Sequence, residues 1–102
     1  MVWDDDQAEI AEIIGSLRTQ DTDTRAVEVK AAAGGFPKKL VRSISAFANG
    51  TGGIIILGLD EDNGFVTVPG FDATAMADAL AGACADHVTP SVRAQIDIVE
   101  WE

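Results

Sequence analysis

The chain has 102 residues, 47% of them hydrophobic, and carries seventeen acidic against seven basic side chains, for a formal charge of −10. Such a length fits one domain with a modest core, and the single cysteine excludes an internal disulfide and a cysteine-based zinc site. No apolar run approaches the roughly 20 residues of a membrane helix. The acidic start, Met1-Val2-Trp3-Asp4-Asp5-Asp6, lacks the basic region of a signal peptide, so the simple reading is an intracellular, cytoplasmic protein.

Asp4, Asp5 and Asp6 offer caps for a first helix. Ile10, Ile13, Ile14 and Leu17 then follow with the spacing of one buried helical stripe. After a polar loop at residues 19–24, residues 26–33 alternate Val27 and Val29 with Glu28 and Lys30, which predicts a half-buried strand. Gly34-Gly35 breaks that strand and Pro37 opens a second helix. Its apolar face is Leu40, Val41, Ile44, Phe47 and Ala48, and Lys38, Arg42 and Ser45 share another face. The helix is expected to end at Asn49-Gly50, a pair able to adopt positive φ.

Gly52-Gly53 leads into Ile54-Ile55-Ile56-Leu57-Gly58-Leu59, a β-branched run suited to a central strand. Asn63-Gly64 marks a hairpin turn, and residues 65–68 form the returning strand. Thr74 is the expected cap of a third helix with Met76, Leu80 and either Ala83 or Cys84 on one face, stopped by Thr89-Pro90. Residues 92–101 alternate apolar and polar side chains as a final strand. The order α-β-α-β-β-α-β makes an α+β fold, a mixed central sheet packed by helices. Residues 1–102 form one domain, and an end directly after a strand points to a piece of a longer protein with further domains.

Charge is distributed unevenly. Residues 25–42 hold Arg25, Lys30, Lys38, Lys39 and Arg42 against Glu28 alone, a net of +4, between flanks of −6 and −8. This is either a solvated helix face or a local basic patch on an acidic body. In the second case Arg25, Lys38, Lys39 and Arg42 are the phosphate contacts, because basic side chains displace the counterions of a nucleic acid.

Several stretches then carry a family likeness through their order and spacing. They are Val27-Glu28-Val29-Lys30, Gly34-Gly35, Ile44-Ser45-Ala46-Phe47-Ala48-Asn49, the run from Gly52-Gly53 through Leu57-Gly58-Leu59-Asp60-Glu61, and Val68-Pro69-Gly70. Together they resemble the AlbA-like domain of Schlafen proteins and of many bacterial regulators. The family pattern is a Glu-Phe-Lys strand, a helix ending in Ser-Ala-Phe-Ala-Asn, a Gly-Gly turn and a strand closing on Gly-Val-Asp-Asp. The resemblance implies an AlbA-like fold and a DNA-binding domain of a bacterial transcription regulator. It also implies a homodimer, since Schlafen-type cores pair two related lobes around a groove. Two positions depart from the pattern: Val29 stands where the family has Phe, and Asp23 where nuclease-type members have Glu.

The same region carries an acidic constellation. Glu28 and Lys30 lie two apart on a strand and project from one face, and Asp60 closes the central strand. With Asp23, Glu28 and Asp60 make three carboxylates, a donor set suited to Mg²⁺ or Mn²⁺. Such an ion activates water, and Lys30 would stabilise the scissile phosphate. Schlafen ribonucleases, which cleave transfer and ribosomal RNA, have matching acidic residues and a lysine, so the resemblance implies the same assignment. The plainer reading is a structural Glu28–Lys30 ion pair, with Asp60 capping its own turn.

The remaining residues point to structure. His87 falls at the end of the third helix, where a cation suits the dipole, and Cys84 lies on an apolar face as a small hydrophobe. The sequence Gly50-Thr51-Gly52-Gly53 lacks the Gly-Lys-Ser/Thr of a phosphate loop. Three functions thus stand at this level: nucleic-acid binding through the basic helix, metal-dependent cleavage through Asp23, Glu28, Lys30 and Asp60, and a dimerisation module that leaves nucleic acid alone.

Overall fold

The computed structural model describes residues 5–19, 27–88 and 94–99, with side chains from residue 9 onward. Helix α1 (Asp5–Thr19) leads to strand β1 (Val27–Lys30), helix α2 (Leu40–Asn49) and strand β2 (Ile54–Leu57). Short strands β3 (Leu59–Asp60) and β4 (Val66–Thr67) flank a 3-10 turn at Glu61–Asn63, and helix α3 (Ala73–Asp86) follows. Among the described residues, three helices and a small mix of parallel and antiparallel strands make the fold α+β.

β1 and β2 pair in parallel with Val29 opposite Ile56 and Lys30 opposite Leu57, while β3 and β4 pair antiparallel. The long strand expected at residues 54–59 is bent at Gly58. Its N–H donates to the Lys30 carbonyl at 3.0 Å, and its own carbonyl accepts from the Val68 N–H at 2.9 Å. One residue therefore joins the parallel ladder to the antiparallel one. The bend requires glycine: φ is +99°, and a Cβ would lie 2.9 Å from the Phe71 ring.

Alternation along β2 sends neighbouring side chains to opposite faces. Ile56 packs beside Ile14, Val29 and Leu59 with Ile10 and Leu17 of α1, whereas Ile55 packs against Ile44, Ala83, Cys84 and Val88 of the α2–α3 side. The apolar stripe of α1 is thereby confirmed, with Ile13 and Ile14 fully buried. Leu40 is equally buried at the start of α2. Each such side chain contributes about 1.5–3 kcal/mol by leaving water.

Several boundaries differ from those expected. α2 starts at Leu40, since the turn from Pro37 is tightened by Leu40, Val41 and Arg42 N–H groups bonding three residues back. The left-handed residue after α2 is Gly52 (φ +91°), not Gly50 (φ −109°), because the Gly52 N–H closes on the Phe47 carbonyl at 3.0 Å. α3 is capped by Asp72, whose Oδ1 accepts from the Ala75 N–H at 3.0 Å, two residues before Thr74. A carboxylate in extended backbone makes the better cap there. Residues 94–99 form no strand ladder, and Ile98 is 58% exposed. They face β2 and α3 across an apolar gap of about 320 Å³, so alternation alone did not secure pairing.

Gly58→Ala is expected to cost about 2–4 kcal/mol, combining a strained φ with a clash at Phe71. Gly64→Ala, at φ +73° with open space around it, should cost only about 1 kcal/mol. Urea denaturation of the two variants separates clash from backbone strain.

Candidate nucleic-acid interface

The loop at residues 31–37 is held at both ends. Ala32 (φ +55°) and Gly35 (φ +113°) take left-handed backbone, and the Gly35 N–H reaches the Ala32 carbonyl at 3.4 Å. Phe36 packs against the cluster of Ile44, Ala83, Cys84 and Val88. With Leu40 and Ile44 fixed inward, Lys38, Lys39 and Arg42 must point outward, and all three are exposed. Lys38 and Arg42, four apart, share a face, and Arg42 lies three beyond Lys39.

These cations sit at the positive end of the α2 dipole, whose first turn holds no acidic residue. None of the three has an ion-pair partner among the described residues. That is unusual company in a chain with seventeen acids. Arg25, the fourth expected contact, lies outside the described residues, as does Asp23.

Lys30 presents the opposite case. Its Nζ lies 3.5 Å from Glu28 Oε1 and 3.5 Å from Glu61 Oε1, all three groups being partly exposed. The parallel ladder sets Lys30 beside the end of β2, and the Gly58 bend carries Glu61 round to it. The two carboxylates, Glu61 more than Glu28, raise the Lys30 ammonium above the ordinary lysine range, with desolvation acting in the opposite direction. Glu61 was invisible as a partner in the sequence, because its approach depends on strand register and on the bend.

Asp60 is engaged by its own turn. Oδ1 accepts from the Asp62 N–H at 3.0 Å and Oδ2 from Asn63 Nδ2 at 2.6 Å. Both oxygens thus hold the 3-10 turn, the capping role that its position before Asn-Gly predicts. Among the described residues no three carboxylate, imidazole or thiolate groups converge as metal ligands.

A second residue absent from the sequence reading is Arg18. Its Nε and Nη2 donate to the Phe65 carbonyl at 3.3 and 2.8 Å, tying the end of α1 to the β3–β4 hairpin. Phe65 is a non-glycine residue at φ +61°, so this contact sits where the backbone is strained. Cys84 is buried, with its thiol pushed up by desolvation, and His87 caps α3 at the surface. No helix of the described residues is long and apolar enough to cross a membrane.

A family model described as Schlafen, AlbA_2 matches residues 23–102, more than three-quarters of the chain. The match contains β1, the 31–37 loop, α2, the bent strand and α3. No curated protein and no solved structure matches the chain significantly.

Two expectations follow from the acidic side. Asp60→Ala should cost about 1 kcal/mol through loss of the turn cap, read as a lower urea midpoint. Because the Lys30 value is raised, its contribution is fully present below the ordinary lysine value and fades as pH rises through the raised one. Glu61→Gln should therefore move the Lys30 titration down toward the ordinary range, followed by NMR of the lysine side chain in alkaline solution. An unmoved midpoint would show that Glu61 does not face Lys30.

Proposed function

Because this chain belongs to the Schlafen AlbA_2 family, we propose that it binds nucleic acid, holding backbone phosphates with Lys38, Lys39 and Arg42. The observation that carries the reading is that, among the described residues, they have no carboxylate partner in a strongly acidic chain. Coulomb attraction in a chain of this charge favours internal pairing, as Lys30 illustrates. Three exposed cations grouped on one turn and left without such pairs are available to an external anion. Arg25 is a further contact in this proposal.

The finer reading is a DNA-binding domain of a bacterial transcription regulator, cytoplasmic, joined to further domains and working as a homodimer. Pairing two copies would set two basic turns on one phosphate chain, so that the second contact adds affinity through effective concentration. A second reading, metal-dependent cleavage of RNA or DNA by Asp23, Glu28, Lys30 and Asp60, draws on the approach of Glu28 and Glu61 to Lys30. It is the weaker of the two, since both oxygens of Asp60 are engaged in its turn.

Four phosphate contacts give a slope of log affinity on log salt of about −2.8 to −3.6, and so a loss of roughly 50- to 150-fold between about 50 and 200 mM salt. Labelled duplex DNA and single-stranded RNA, titrated with and without Mn²⁺, test this. The double variant Lys38→Ala/Lys39→Ala should lower the slope by about 1.4–1.8, and Glu28→Ala should bind as well as the unaltered chain. Absence of binding at low salt would refute the proposal, and self-association without binding would favour a dimerisation module. Cleavage in Mn²⁺ that is abolished by Glu28→Ala would favour the nuclease.

A further inference from the structure

The glycines of the loops account for themselves, with one exception. Gly35, Gly52, Gly58, Gly64 and Gly70 take positive φ, and Gly50 and Gly53 stand against the Ala46 carbonyl and the Phe47 ring. Gly34 has neither reason. Its φ lies outside the left-handed range, and a Cβ there would meet nothing within 4 Å. Alanine at this position would fit the free chain and restrict its unfolded state.

Two further facts bear on Gly34. Its N–H has no hydrogen-bond partner among the described residues, and the residue is exposed. It also belongs to the loop that Phe36 anchors in the core, four residues before Lys38 and five before Lys39. A donor on an anchored loop, bare of side chain and a few residues before ammonium groups that have no ion pair among the described residues, matches the needs of an anionic oxygen approaching main chain. At the centre of the Ala32–Gly35 turn an alanine with this backbone would serve as well, so what glycine adds there is a main chain open to close approach.

We propose that Gly34 is a contact point for a backbone phosphate of the bound nucleic acid, its N–H donating to a phosphate oxygen while Lys38 and Lys39 supply the charge. This rests on the proposed binding through the basic turn and names a main-chain contact within it. The two kinds of contact differ in their salt signature. A lysine releases counterions and sets the slope, whereas a neutral N–H adds affinity without altering it.

The test compares Gly34→Ala with Lys38→Ala/Lys39→Ala and the unaltered chain, on one labelled duplex DNA and one single-stranded RNA across a salt series. Gly34→Ala should melt at or slightly above the unaltered chain. Its affinity should fall about tenfold, the worth of one hydrogen bond to a charged group, at an unchanged salt slope. In the unaltered chain, the Gly34 amide resonance should move on titration with the same oligonucleotide, a readout independent of any substitution. Full affinity in Gly34→Ala, or a stationary Gly34 amide, alongside impaired lysine variants would overturn this inference and leave the basic turn standing. Failure of the unaltered chain to bind would overturn both.

Discussion

The fold turns on the two hydrogen bonds of Gly58. A continuous β-branched strand would have run straight past β1. The bend instead ends the parallel ladder at the Lys30 carbonyl and opens the antiparallel one at the Val68 N–H. Everything at that end of the sheet depends on it: the position of Leu59 in the core, the turn capped by Asp60, and the approach of Glu61 to Lys30. Glycine is obligatory because the left-handed φ and the Phe71 ring each exclude a side chain.

The same geometry divides the basic residues into two populations. Lys30, carried on a strand, is drawn between two carboxylates and neutralised within the chain. Lys38, Lys39 and Arg42, carried on the turn into α2, meet no carboxylate among the described residues. Their separation follows from the core: Phe36, Leu40 and Ile44 pin the loop and the helix start, leaving the cations between them no inward course. Packing of apolar residues thus decides where positive charge is displayed on an acidic molecule. Affinity for a phosphate chain in this arrangement is local, opposed by the charge of the whole.

Much of this was legible in the sequence. The stripe of Ile10, Ile13, Ile14 and Leu17, the alternation at β1 and the outward set of Lys38 and Arg42 are one-dimensional patterns, and each has its counterpart in the structure. The capping role of Asp60 could also be read from its place before Asn63-Gly64. The family resemblance, drawn from short stretches between Val27 and Gly70, agrees with a match over residues 23–102. What the sequence hid were relations between distant segments. The Glu61–Lys30 pair needs the strand register, the bend at Gly58 needs the position of Phe71, and the Arg18 contact needs the packing of α1 on the hairpin. Alternation misled at residues 94–99, since it records which side chains could face a core and carries no information on backbone pairing.

The Arg18 contact has a consequence for how the molecule opens. The hairpin of β3 and β4 is short, and its closing amides, Phe65 to the Asp60 carbonyl and Val68 to the Gly58 carbonyl, are few. Such a small ladder is marginal by itself. Because the Arg18 guanidinium grips the carbonyl of the strained Phe65, detaching the hairpin also releases the last turn of α1. Opening of the two segments, 47 residues apart in sequence, is thereby coupled by about the worth of that exposed contact, on the order of 1 kcal/mol.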